Sequence, residues 1–106
     1  MQELENFYQN HLKQKLIQNG TRIIHPDTVY IENNVNISAG VIIEPNVVIK
    51  KNVKIGPNTT IKSFSYIEDC IVGNNCQIGP FARIRPETKI SNNAKICNYK
   101  KKKKSS

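Results

Sequence analysis

The sequence predicts a three-sided parallel β-helix preceded by one α-helix, and three observations support this fold class. Every sixth residue from Ile31 to Ile96 is isoleucine or valine, with a single five-residue step. The residue two places before each of these is small or β-branched, and none is charged. Asparagine, glycine and proline recur between the two sets, and these residues adopt turn conformations at low steric cost.

The large apolar positions define the period. A period of six fits neither the 3.6-residue turn of an α-helix nor the alternation of a long strand. It fits short strands joined by sharp corners, and three sides close a coil of about 18 residues that stacks on the next at roughly 4.8 Å. We therefore expect about four coils with the apolar side chains stacked inside. The positions are Ile31, Ile37, Ile43, Ile49, Ile55, Ile61, Ile67, Val72, Ile78, Ile84, Ile90 and Ile96.

An antiparallel sandwich or barrel is the alternative. Such folds place their turns every 8–12 residues and alternate apolar with polar side chains, which this sequence does not do. The small positions are expected near the corners, where room is limited. They are Val29, Val35, Val41, Val47, Val53, Thr59, Ser65, Cys70, Cys76, Ala82, Thr88 and Ala94.

Residues 1–20 are predicted to form a linker-like helix that Gly20 ends. Because a single helix of this length is marginal in water, we expect it to pack on the first coil or on another domain. Residues 21–98 are predicted to form the β-helix, and residues 99–106 a disordered, lysine-rich tail. The apolar stripe of the helix consists of Leu4, Tyr8, Leu12 and Leu16, widened by Phe7 and Ile17.

Charge and cysteine content exclude several classes of protein. The net charge is +8, but five of the lysines lie at 100–104. The rest of the chain has eleven Lys and Arg and eight Asp and Glu, so it is only mildly basic. The lysine run lacks interleaved aromatic residues, so we expect a solvated tail and no nucleic-acid partner.

Three cysteines without a C-x-x-C pair suggest neither disulfides nor zinc. Without a secretory signal or membrane span, we expect a cytoplasmic protein with no membrane partner.

Several stretches resemble one particular family of acyltransferases built from six-residue repeats. The run IGPFARIRP at 78–86 is similar to the IGPFARLRPG coil of the GlmU family, and KSFSYIE at 62–68 and VIIEPNV at 41–47 are similar to earlier coils. GlmU enzymes combine UDP-N-acetylglucosamine pyrophosphorylase and glucosamine-1-phosphate N-acetyltransferase activities for cell-wall synthesis. The resemblance covers roughly residues 10–98 and implies a left-handed β-helix and a homotrimer, here expected to be weak.

The resemblance also implies what the chain binds. By likeness to the family, Arg85 contacts the phosphate of the sugar phosphate, and Lys103 stands where a phosphate-contacting lysine belongs, although the surrounding pattern is lost. Acetyl-CoA and Mg²⁺ serve the full-length family, and we expect neither to be bound here. No residue is assigned a catalytic role, and no metal ligand is expected.

The family's nucleotide loop and catalytic histidine have no counterpart in the sequence, since His11 and His25 both precede the repeats. The sequence therefore suggests a truncated remnant of the acetyltransferase domain, inactive alone, in which a frameshift produced the lysine run. Two alternatives remain open: an acyltransferase completed by a partner chain, and a non-catalytic scaffold for trimerisation or binding.

Overall fold

The computed structural model describes residues 2–32 and 34–96, with side chains from Tyr8 onward. The predicted tail at 99–106, including Lys103, lies outside the described residues. Within them, no helix is long and apolar enough to cross a membrane.

One helix is followed by thirteen short strands within the described residues, and a single 3-10 turn lies at Pro26–Thr28. The helix, α1, spans Gln2–Gln18. The strands are β1 Arg22–Ile23, β2 Tyr30–Ile31, β3 Val35–Ile37, β4 Ile42–Ile43, β5 Val48–Ile49, β6 Val53–Ile55, β7 Thr60–Ile61, β8 Tyr66–Ile67, β9 Cys70–Val72, β10 Gln77–Ile78, β11 Arg83–Ile84, β12 Thr88–Ile90 and β13 Lys95–Ile96.

The strands form three parallel sheets, each made of every third strand. Face A has the order β1-β4-β7-β10-β13, face B the order β2-β5-β8-β11, and face C the order β3-β6-β9-β12. The chain therefore visits faces A, B and C once in each coil. The predicted fold class, an all-β left-handed parallel β-helix of about four coils with one N-terminal helix, is confirmed.

The isoleucine columns form the core, as predicted. On face A, Ile43 pairs in register with Ile61, and Ile61 with Ile78. All three side chains are fully buried. Polar residues at the small positions satisfy backbone groups in this narrow interior. The buried hydroxyl of Thr59 donates to the Gly73 carbonyl at 2.8 Å and accepts from the Cys76 amide at 3.2 Å.

From Gly40 onward, each corner among the described residues turns on a residue with a positive φ, immediately before the next small position. Asn46, Asn58, Asn75 and Asn93 are among these residues, which confirms the turns predicted from the recurring asparagines. Five further corner residues with a positive φ were not predicted from the sequence. They are Asn52, Phe64, Asp69, Phe81 and Glu87.

The five-residue step removes one residue from a single corner. Elsewhere the positive-φ residue lies three places after the buried isoleucine or valine, as Asn52 does after Ile49. In the shortened side, Asp69 lies two places after Ile67. The register of face C continues across the deletion, since Ile55 pairs with Val72 and Val72 with Ile90. The deletion is therefore absorbed in the corner, and the core column is kept.

The helix packs on the first coil, where it covers the free edges of β1 and β2. Leu16 is buried in the core and Leu12 packs against it. The predicted stripe is wrong at two positions, because Tyr8 is 62% exposed and Ile17 is 45% exposed. Polar side chains of α1 also hold the helix on the first coil through hydrogen bonds to its backbone. The buried Lys13 ammonium donates to the Pro26 carbonyl at 2.5 Å, and burial lowers the pKa of this lysine.

Candidate functional site

Two arginines, Arg83 and Arg85, lie on the outer surface of face B, on either side of the buried Ile84. Strand β11 places the Ile84 side chain in the core, so its neighbours Arg83 and Arg85 both project outward and are exposed. A shallow groove with a volume of about 340 Å³ runs beside them, lined also by Tyr66, Glu68 and Pro86. We call these residues the arginine groove.

Two residues of the previous coil position Arg83. Arg83 pairs with Tyr66 across the parallel sheet, and its guanidinium carbon lies 5.1 Å from the centre of the Tyr66 ring. This distance suits a cation–π contact. The Tyr66 hydroxyl donates to a Glu68 carboxylate oxygen at 3.3 Å. Arg83 is thus held by its neighbours.

Arg85 has a different environment from Arg83. Among the side chains described, the single ion pair joins Lys50 to Glu32 at 3.2 Å, in the first two coils. Arg85 is exposed, and no carboxylate within the described part of the chain forms an ion pair with it. Its guanidinium therefore remains available to an anion from solvent. The sequence-based assignment of Arg85 to a sugar phosphate stays a prediction, and Lys103 lies outside the described residues.

No imidazole lies in the arginine groove. His11 belongs to α1, and His25 precedes the 3-10 turn of the first coil. The described residues also bring together no group of three His, Cys, Asp or Glu side chains that would hold a metal ion. The groove therefore offers a cationic binding surface and one carboxylate, Glu68, that already accepts a hydrogen bond from Tyr66.

The two cysteines of the repeats are buried, as their small positions predicted. Both Cys70 and Cys76 are free thiols with almost no exposed surface. Burial, together with the nearby Asp69 carboxylate, raises the pKa of Cys70 to about 11. The Cys76 thiol donates to the Ser91 carbonyl at 3.0 Å. Because a nucleophilic cysteine needs its thiolate form and access to substrate, these two thiols are structural.

One surface feature next to this groove was not predicted from the sequence. Phe64 and Phe81 lie at the corner between faces A and B in consecutive coils, and their rings stack with centres 5.1 Å apart and planes 6° from parallel. Both side chains are more than half exposed. A signal was present, because phenylalanine fills the hexad position that asparagine fills in most other repeats.

The chain matches the model of the GMPPB C-terminal domain over residues 24–100. This range contains the whole described β-helix after β1 and more than half of the chain. No curated protein matches the chain. The match supports a β-helix of the kind found in nucleotidyltransferases, and GlmU is not distinguished by it. The chain belongs to the GMPPB C-terminal domain family.

Proposed function

We propose that the chain is an inactive remnant of a GlmU-like glucosamine-1-phosphate N-acetyltransferase domain, which retains a phosphate contact at Arg85 and transfers no acetyl group alone. The single observation that carries this proposal is the composition of the arginine groove. It presents an exposed guanidinium with no ion-pair partner among the described residues and contains no imidazole.

The phosphate contact follows from the chemistry of arginine. A guanidinium is planar, stays charged at neutral pH and donates two parallel hydrogen bonds to a phosphate. Arg85 directly follows strand β11 on face B and precedes Pro86. An exposed site of this kind supports weak, salt-dependent binding, because surface electrostatic attraction is screened by ions.

The proposed inactivity rests on the lack of a general base in the arginine groove among the described residues. Acetyl transfer to an amine needs a group of suitable pKa within hydrogen-bond reach of the attacking nitrogen. Glu68, the carboxylate of the groove, is engaged by Tyr66, and both histidines lie on other parts of the molecule. No group of metal ligands is present among the described residues, so we assign Mg²⁺ no place in this proposal.

The scaffold function is the second candidate, and the exposed aromatic pair Phe64 and Phe81 favours it. Stacked apolar rings on a surface are typical of protein contacts. The homotrimer implied by the GlmU resemblance belongs to this part of the proposal. An acyltransferase completed by a partner chain is the remaining alternative, and the assay below separates it from the other two.

The test combines an activity assay with a binding titration on the purified chain. With glucosamine-1-phosphate and acetyl-CoA, we expect no turnover above the uncatalysed background. Titration with glucosamine-1-phosphate should show weak binding that Arg85→Ala abolishes and that Arg22→Ala, which removes an exposed arginine on face A, leaves unchanged. Turnover by the chain alone would refute the inactivity, and equal binding by the Arg85→Ala variant would refute the phosphate contact.

A further inference from the structure

Face C presents one row of outward side chains, each from the middle of a strand. Asn36, Lys54, Ile71 and Lys89 follow one another along this row, since each pairs in register with the next. Ile71 is the apolar member of the row and is 44% exposed. It adds nothing to the core, because the buried Val72 supplies the core column in this coil. An exposed isoleucine between two lysines is therefore available to a ligand.

A groove with a volume of about 580 Å³ lies between this row and the B–C edge. The edge is formed by the positive-φ residues that turn the chain from face B to face C, and the corners stack closely. The backbone amide of Glu87, for example, donates to the Asp69 carbonyl at 2.6 Å. We define the face C groove as this cavity, bordered in the second to fourth coils by Lys54, Ile71 and Lys89 on one side and by Asn52, Asp69 and Glu87 on the other.

The charges of the face C groove are unevenly distributed along the axis. In the first two coils, its polar lining consists of Lys54 and three amide side chains, those of Asn34, Asn36 and Asn52. In the third and fourth coils, the polar lining includes the carboxylates of Asp69 and Glu87 and the ammonium of Lys89. Within the described part of the chain, none of these four charged groups forms an ion pair.

This distribution favours a ligand that has both signs of charge. A ligand with a single charge is attracted by two side chains of the groove and repelled by the other two. An anionic group is accommodated at Lys54, where the other polar lining groups are amides that can donate hydrogen bonds. A cationic group is accommodated at Asp69 and Glu87. The middle of such a ligand contacts Ile71 and the aliphatic stem of Lys54, which also offers apolar surface.

We propose that the face C groove binds a small linear zwitterion, an amino acid whose ammonium and carboxylate lie at opposite ends of an aliphatic chain. Lys54 contacts the carboxylate and Ile71 the chain. Asp69 and Glu87 contact the ammonium. This site goes beyond the proposed function, because it lies on a different face from Arg85 and takes a different ligand.

The spacing of the coils sets the length of the ligand. Adjacent strands lie about 4.8 Å apart, so the midpoint between the coils of Asp69 and Glu87 lies roughly 7 Å along the axis from the coil of Lys54. The methylene chain of 6-aminohexanoate spans this distance, since each C–C bond is about 1.5 Å long. Glucosamine-1-phosphate does not span it, because its ammonium and phosphate groups are attached to neighbouring carbons of the sugar ring.

Titration of the full chain with 6-aminohexanoate, followed by NMR of the isoleucine δ methyl groups, tests the proposal. We expect the Ile71 methyl signal to shift and that of Ile24, which is exposed in the first coil, to stay unchanged. Hexanoate and hexylamine each keep one of the two charges, and free glycine keeps both without the chain. Each should bind at least about tenfold more weakly, because each lacks one part of the contact.

The two lysines provide a matched pair of variants. Lys54→Gln should weaken 6-aminohexanoate binding at least about tenfold. Lys89→Gln should not weaken it, because Lys89 lies in the coil of the ammonium site and repels the ligand's ammonium. Asp69→Asn, at a corner position that asparagine fills in the preceding coil, should weaken binding as Lys54→Gln does. Arg85→Ala should leave it unchanged, which separates this site from the sugar-phosphate contact.

Circular dichroism verifies that each variant is folded, and the ligand series uses the unsubstituted chain, so it decides the question even if a variant does not fold. An Ile71 signal that 6-aminohexanoate does not shift would overturn the proposal. Equal binding of hexanoate would reveal a general anion surface, and equal weakening by the two lysine variants would reveal a site for two anionic groups. Either result, or loss of binding in the Arg85→Ala variant, would also contradict the proposed zwitterion site.

Discussion

The side-chain amide of Gln9 forms two hydrogen bonds with the backbone of Ile31. The Gln9 amide nitrogen donates to the Ile31 carbonyl at 2.9 Å, and the Ile31 amide donates to the Gln9 amide oxygen at 3.1 Å. Ile31 belongs to β2, the edge strand of face B. One glutamine of α1 therefore satisfies the backbone groups that a preceding coil would otherwise satisfy, and the helix closes this end of the β-helix.

Replacing Gln9 with alanine should destabilise the protein by about 1–3 kcal/mol, because both backbone groups of Ile31 lose their partner in a partly buried place. Urea unfolding followed by circular dichroism measures the change. Gln14→Ala, at an exposed position of the same helix, is the control and should change the free energy of unfolding by less than about 0.5 kcal/mol. Equal effects of the two substitutions would contradict the capping role of Gln9.

A second prediction concerns the contact between Gly73 and Asn92 of the next coil. A β-carbon at Gly73 would clash with the Asn92 side-chain oxygen and would lie 2.8 Å from the Asn92 backbone nitrogen. The same Asn92 oxygen accepts a hydrogen bond from the Asn74 amide at 2.8 Å, so it is not free to move away. Gly73→Ala should therefore destabilise the fold by about 1–3 kcal/mol through overpacking.

Ser38 provides the control for this prediction, since it occupies the equivalent hexad position in the first coil, and the residue corresponding to Asn92 is there Pro57. Thermal unfolding of Ser38→Ala should differ little from that of the unsubstituted chain. A Gly73→Ala variant as stable as the unsubstituted chain would show that the coils separate easily at this edge.

A third prediction tests the column of isoleucines. Ile61 is fully buried between Ile43 and Ile78 of the adjacent coils, so Ile61→Ala leaves a cavity that both neighbours line. The expected loss is about 2–5 kcal/mol in the free energy of unfolding. Ile24→Ala, at a residue that is 51% exposed, should have little effect in the same denaturant titration. Similar losses at both positions would argue against a core made of this column.

The fourth prediction concerns pH and the Cys70 thiol. Its pKa in the folded chain is about 11, above the usual value of 9.0, so the folded state retains the proton over a range where the unfolded state loses it. The stability contributed by this group is complete below pH 9 and falls as the pH rises toward 11. Comparing unfolding of the unsubstituted chain and Cys70→Ala at pH 8 and pH 10.5 isolates this contribution. A difference that does not change with pH would contradict the raised pKa.

Much of the fold follows from the sequence because the period of six sets both the core and the corners. The column of Ile43, Ile61 and Ile78 could be identified directly, since each coil repeats the same apolar position. The Asn and Gly corners were predictable for the same local reason. Local conformation and long-range packing agree at these positions, so a short stretch of sequence contains the information.

Other features depend on contacts that no local pattern records. The docking of α1 depends on Gln9 and Lys13, polar residues that an apolar stripe does not identify, and it leaves Tyr8 and Ile17 exposed. The stacked pair of Phe64 and Phe81 depends on the register between two coils and on an unfavourable backbone conformation. At the candidate site, the exposure of Arg83 and Arg85 follows from their places on either side of the core residue Ile84, since neighbouring side chains alternate along a strand. The contact between Arg83 and Tyr66 depends on the pairing of two coils.

Methyl NMR tests the stacked three-sided column most directly. In protein labelled at the isoleucine δ methyl groups, we expect nuclear Overhauser contacts between residues one coil apart on the same face, namely Ile43 with Ile61, Ile61 with Ile78, and Ile49 with Ile67. Strong contacts for these pairs at a sequence separation of 17 or 18 would confirm the account. A spectrum without them, in which the isoleucine methyl groups contact each other only across antiparallel hairpins, would contradict it.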